Sequence, residues 1–169
     1  MKPLFQVPLK FGLIGAGIKI LMFFVLLWTD ANPLLEMQVF NLIILPVFIF
    51  FGIKEFRDTF NQGILSFSEG MTIGLIIYLL IGLLYGAFLA GALNIIDTSV
   101  IMEEYIATNL QKLEESRSQF GQKEFEESYR ENQNSSIYVP IKDIIIRTLL
   151  IGFLLTSLLS TVLRKQPKK

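Results

Sequence analysis

Chemistry in this chain would have to come from a few ionisable side chains set in or beside long apolar runs. Lys19 lies deep in the run that ends at Trp28, and Arg147 lies near the start of the last run, with Asp143 one helical turn before it. Asp97, at the far end of the third run, falls at a similar depth to Arg147. Lys19, Asp97, Asp143 and Arg147 therefore form a candidate intramembrane polar site. A lysine at mid-bilayer costs ~2.5–3.5 kcal/mol on insertion scales and is by default a functional hypothesis, for ion or proton coupling or for holding an anion. The usual carboxylate partner is missing: the polar groups available inside the other runs are Tyr78, Tyr85, Thr156 and Ser157. The plainer alternative is a lysine that snorkels to the interface or faces a gap between helices. Asp97, Asp143 and Arg147 then read as a structural clamp at the outer mouth.

Histidine and cysteine are absent from all 169 residues. That removes disulfides, thiol nucleophiles, imidazole and thiolate metal sites, and the side chain most used for proton transfer near neutral pH. The chain does not read as an enzyme and implies no cofactor or metal. Its formal net charge of zero leaves no basic footprint for nucleic acid.

The elements that would position these groups are apolar runs long enough to cross a bilayer, which takes about 20 helical residues. They are expected over about 11–28, 39–56, 71–96 and 141–163, the second being short and carrying Pro46. The fold class is thus an all-α membrane protein of one domain, 1–169, with the lipid bilayer as its first partner. The run ending at Trp28 is followed by no small-x-small cleavage site and reads as a retained span. Lys2, Lys10, Lys54, Arg57, Arg164, Lys165, Lys168 and Lys169 flank one side of these spans, whereas the Thr29–Gln38 link carries only Asp30 and Glu36. Basic loops stay inside, so both termini are expected in the cytoplasm of a bacterial inner membrane. The segment 97–139, with nine acidic and four basic residues, is then an extracytoplasmic helical insertion. Met102, Ile106, Leu110, Leu113 and Phe120 give it one apolar stripe, interrupted near Gly121. That stripe suits a helix resting on the membrane or folding back, or a face for a partner.

Gly70, Gly74, Gly82, Gly86 and Ala90 recur at multiples of four on the third span, with Tyr78 in the gap and Ala87 and Gly91 beside them. Such a stripe lets another backbone approach closely. It packs within the monomer, with Gly12 and Ala16 of span one as a matching surface, or forms a homodimer face. The link "FFGIKEFRDTFNQGILSFSEG" reads as a cytoplasmic joint built on Lys54, Arg57, Ser66 and Glu69. Lys54 and Asp58 are spaced to pair on a helix face, and Ser66-Phe67-Ser68-Glu69 fits the capping box. The alternative is that Lys54, Arg57 and Glu69 hold an anionic headgroup or a partner.

The order "FFGIKEFRD" followed by "GILSFSEGMTIGL" resembles the family known as domain of unknown function 4199 (DUF4199). The likeness extends to "LKFGLIGAG" in span one and to the closing "LLSTVLRK", and departs from the family pattern at Ser68-Glu69. It implies a small four-span bacterial membrane protein and brings no catalytic residues. The reading is a structural or accessory envelope protein acting through protein–protein contacts, with a membrane-protein partner or a second copy. A small transporter or channel subunit using Lys19 and the Asp97/Asp143/Arg147 cluster is the alternative. For the topology, a reporter fused after Lys169 should read cytoplasmic and one inserted after Asn132 extracytoplasmic. A periplasmic signal from the tail fusion would mean that a span has been miscounted.

Overall fold

The computed structural model describes residues 3–165. Lys2, Lys168 and Lys169, counted among the basic flanks, lie outside the described residues. Six α-helices follow one another: α1 (Pro3–Trp28), α2 (Pro33–Glu55), α3 (Phe67–Ile95), α4 (Ser99–Glu115), α5 (Gln122–Gln133) and α6 (Tyr138–Leu163). α1, α2, α3 and α6 are long and apolar enough to cross a membrane, and α4 and α5 lie between the third and fourth of these spans. Each spanning helix starts before its apolar run. α2 begins at Pro33, whose missing N–H costs nothing in a first turn, and it continues through Pro46.

The helix ends follow from local chemistry. Ser66 Oγ accepts from the Glu69 N–H at 3.3 Å, and the Glu69 carboxylate accepts from the Ser66 N–H at 2.8 Å, closing the expected capping box at the start of α3. α2 runs into a π-turn over Phe56–Phe60, where the Asn61 N–H donates to the Phe56 carbonyl at 3.1 Å. The wider turn shifts the side chains in phase, so Asp58 meets Arg57 at 2.6 Å and not Lys54, the pairing expected from four-residue spacing. Gly63 then takes φ +78°, a left-handed conformation that glycine adopts without strain. At the opposite end, Asn32 caps α2 by accepting from the Leu34 N–H at 3.0 Å, while its Nδ2 donates to the Ile101 carbonyl at 2.9 Å and to Glu104 at 3.0 Å. One buried amide thus ties the start of α2 to the first turns of α4.

α3 is the central helix. Half (50%) of its most apolar stretch is buried inside the bundle, against 28–33% in the other spans. Lipid tails are as apolar as leucine, so spans associate through close packing and not through a drive away from water. The glycine stripe supplies that packing, and its partner is α6. A Cβ at Gly70 would meet Ser160, one at Gly74 Thr156, one at Gly82 Thr148 and one at Gly86 Ile145. In the gap the relation inverts: Tyr78 fills the space over Gly152 of α6. From Gly70 to Gly82 the two helices therefore interlock in constant antiparallel register, glycine against serine or threonine with one aromatic knob, and at Gly86 the register slips by one residue to Ile145. α1 packs on another face of α3, with Gly12 against Leu80 and Gly15 against Ile81. It is not the matching surface for the stripe. Ala90 is half-buried beside the core at the α4 end, and Ala87 and Gly91 are exposed beside the interface instead of widening it.

Beyond the spans, α4 buries Met102 and Tyr105 and is otherwise exposed or half-exposed, and α5 buries no residue. The stripe breaks as expected near Gly121: a short 3₁₀ turn, Arg117–Gln119, joins the two helices, and Gly121 sits at the N-cap of α5.

The packing yields a contrast. At Gly74 an added Cβ would run into the Thr156 side chain, whereas at Gly91 it meets nothing within 4 Å. Gly74→Ala should lower stability by about 1–3 kcal/mol, the usual range for overpacking. Gly91→Ala should leave stability unchanged or slightly raised. Thermal melts of both variants in one detergent check the pair.

Candidate functional site

Lys19 belongs to a polar level that crosses the whole bundle. Its side chain is 0% exposed, and its Nζ lies 4.2 Å from the centroid of the Tyr85 ring. It does not snorkel. Tyr85 comes from α3 and is also fully buried. One turn earlier on α3, Gly82 faces Thr148 of α6, and the Thr148 hydroxyl accepts from Asn41 Nδ2 of α2 at 3.4 Å. Each spanning helix thus contributes one buried polar side chain here: Lys19, Asn41, Tyr85 and Thr148.

The level is undersatisfied. Among the described residues, Lys19 Nζ, Asn41 Oδ1 and the Tyr85 hydroxyl have no hydrogen-bond partner. An ammonium over an aromatic face gains about 0.5–2 kcal/mol, which leaves its remaining donors unmet. Lys19 and Tyr85 meet as one pair and Asn41 and Thr148 as another, each with polar atoms left unmet. No carboxylate takes part in this level. Thr156 Oγ1 and Ser160 Oγ, also buried and unpartnered, lie further along α6 against the glycines of α3.

The outer cluster is rearranged from the expectation. Arg147 Nε donates to Asp143 at 2.9 Å, one turn earlier on α6, and Nη1 donates to Gln38 of α2 at 3.0 Å. Tyr105 of α4 is buried near this pair, and burial first, then the Asp143 carboxylate, pushes its phenol above the ordinary range. Asp97 is not brought in. It accepts from the backbone N–H and hydroxyl of Ser99 at 3.1 and 2.8 Å, and these bonds hold its carboxyl below the usual range. The arrangement around Arg147 is a clamp joining α2 to α6, with both charged partners part-exposed. An ion pair of that kind contributes at most about 1 kcal/mol.

At the joint, Ser66 and Glu69 serve the helix cap and Arg57 pairs with Asp58, also reaching the Leu163 carbonyl at 3.4 Å. Lys54 lies 5.9 Å from the Phe50 ring. These four do not converge on one site.

The sequence reading missed Asn41, Gln38 and Thr148. It also missed the Thr148, Gly152, Thr156 and Ser160 stripe of α6, although its four-residue spacing mirrors that of α3. Among the described residues no group of three or more acidic side chains is placed to hold a metal.

The family profile described as "Protein of unknown function (DUF4199)" matches residues 10–165. The chain belongs to the DUF4199 family. It is a multi-pass membrane protein whose biochemical activity the family description leaves open. No curated protein and no solved structure matches it. The DUF4199 match covers every residue of the polar level and of the α3–α6 interface.

The magnitudes decide what Lys19 does to stability. Insertion of a mid-bilayer lysine costs ~2.5–3.5 kcal/mol, more than the Tyr85 ring returns. Lys19→Met keeps the length and adds no charge. Its melting temperature should hold or rise, and a clear fall would show that the amine anchors the bundle.

Proposed function

We propose that this DUF4199 protein is an accessory envelope protein of the bacterial inner membrane, working through protein–protein contacts. In this reading both termini are cytoplasmic and α4–α5 is an extracytoplasmic arm. The observation that carries it is α5, a 12-residue helix with no buried residue. Isolated helices of that length are marginal in water, and most helical stability in proteins comes from tertiary packing. Within this chain α5 packs chiefly on α4. The Phe125 and Tyr129 rings lie 6.0 Å apart, tilted to each other and partly open, and Arg117 covers the Phe125 ring at 5.0 Å. An acidic, aromatic-bearing arm on a rigid four-helix base suits docking of another protein.

A transporter or channel subunit is the second reading, and the full burial of Lys19 favours it. A charge carried through the bilayer has a use in coupling. The Asp97 part of the proposed cluster gives this reading no support, since Asp97 is bound to Ser99.

The test places a photo-crosslinking residue at Tyr129 in the full chain, with a second at lipid-facing Leu150 as control. One dominant adduct from Tyr129, absent from Leu150, is expected. A ladder of unrelated adducts from both sites, or none, would overturn the accessory reading. Lys19→Met separates the rival. Loss of complementation with an undisturbed melt would favour transport.

A further inference from the structure

At the end of the bundle where α1 begins and α6 ends, the start of α3 and the residues after α6 line an open concavity of about 380 Å³. Its walls include Leu65, Ser66, Phe67, Ser68, Arg164 and Lys165. We propose that this concavity binds the headgroup of an anionic phospholipid, its phosphate on Arg164 and Lys165 and an acyl chain descending along Phe67.

Position is the first argument. One spanning helix begins here and another ends here, so the concavity lies at the bilayer interface and not in bulk solvent. Charge is the second. Among the described residues, Glu55 is paired with Lys10 at 2.6 Å, Asp58 with Arg57 at 2.6 Å, and Glu69 is turned into the cap of α3. Arg164 and Lys165 form no ion pair among the described residues. Lys165 acts on Asp58 from a distance, after Arg57 and Lys54, in holding that carboxyl below the usual range. Arg164 faces no such carboxylate, so the wall is open to an anion chiefly at Arg164. Lys165 is also held in place. Its backbone exchanges hydrogen bonds with Leu65 at 2.9 and 3.0 Å, an isolated antiparallel bridge that fixes the root of the side chain at the rim.

The donor set fits phosphate. Arginine presents a planar fork suited to phosphate oxygens. The N–H groups of Phe67 and Ser68, the first two positions of a 29-residue helix, have no acceptor within the helix. The Glu69 carboxylate shares this helix end, held on the Ser66 N–H and hydroxyl, so the phosphate charge is met by Arg164 and Lys165 and these two N–H groups add only neutral donors. The apolar side chains distinguish a lipid from free phosphate. Phe67 is 41% and Phe60 45% exposed, and at this level that surface suits an acyl chain.

The full chain, purified in a neutral detergent, is titrated with dioctanoyl phosphatidylglycerol while its melting temperature is followed. Dioctanoyl phosphatidylcholine and glycerol phosphate are run in parallel. Phosphatidylglycerol should raise the melt saturably, with the other two having little effect. Arg164→Gln and Lys165→Gln, both at exposed positions, should each weaken the apparent affinity about five-fold, the usual size for one basic residue at an anionic surface. Lys54→Gln, at the same end but outside the concavity, should leave it unchanged. An equal response to phosphatidylcholine, an equal loss in Lys54→Gln, or saturation by glycerol phosphate alone would each overturn the proposal.

Discussion

The rest of the structure depends on the close approach of α3 and α6. In lipid no solvent drives helices together, so a bundle holds where backbones come near enough for dense dispersion contact. Here glycines of α3 face threonine, serine and isoleucine of α6, and Tyr78 of α3 occupies the one site where α6 supplies the glycine. Because the knob sits on one helix and its socket on the other, a slide by one turn would set Tyr78 against a larger residue. α1 then packs on a second face of α3, and α2 closes the bundle against α1 and α6.

The polar level adds a second constraint, on rotation. Lys19, Asn41, Tyr85 and Thr148 all point inward, one from each spanning helix, at 0–2% exposure. Turning any one helix about its axis would present a polar group to hydrocarbon, at several kcal/mol. Small residues fix how far the helices slide, and polar residues fix how they face. The Phe23, Phe88 and Tyr85 rings, in edge and stacked contact at 5.2 and 6.1 Å, pack beside that level, and the exposed Phe24 ring lies against them from outside.

Much of this was legible in the residues, for a physical reason. A helix that crosses a bilayer needs about 20 largely apolar residues, so the four spans and the intervening arm stand out. The Ser66–Glu69 box was legible because its partners are three residues apart. What depends on azimuth was not. Depth along the chain placed Asp97 level with Arg147, but the backbone leaves α3 at Ile96 and turns the carboxylate to Ser99. The π-turn after Glu55 altered the phase that a Lys54–Asp58 pair would need. Thr156 was read as a polar group available to Lys19, whereas its small volume against Gly74 is what the fold uses. Asn41 stood in an apolar run with no spacing to mark it.

Asn32 gives the arm a mechanical character. Its oxygen holds the start of α2, and its nitrogen holds the carbonyl of Ile101 and the carboxylate of Glu104, so every strong bond of that amide is committed. A sideways load on α4–α5 would reach the spanning helices through this junction before it strained the deeper interlock. Met102 and Tyr105 of α4 are buried beside the junction, so the core shares that load with the amide. Only α5, which buries no residue, could swing while the bundle below kept its shape.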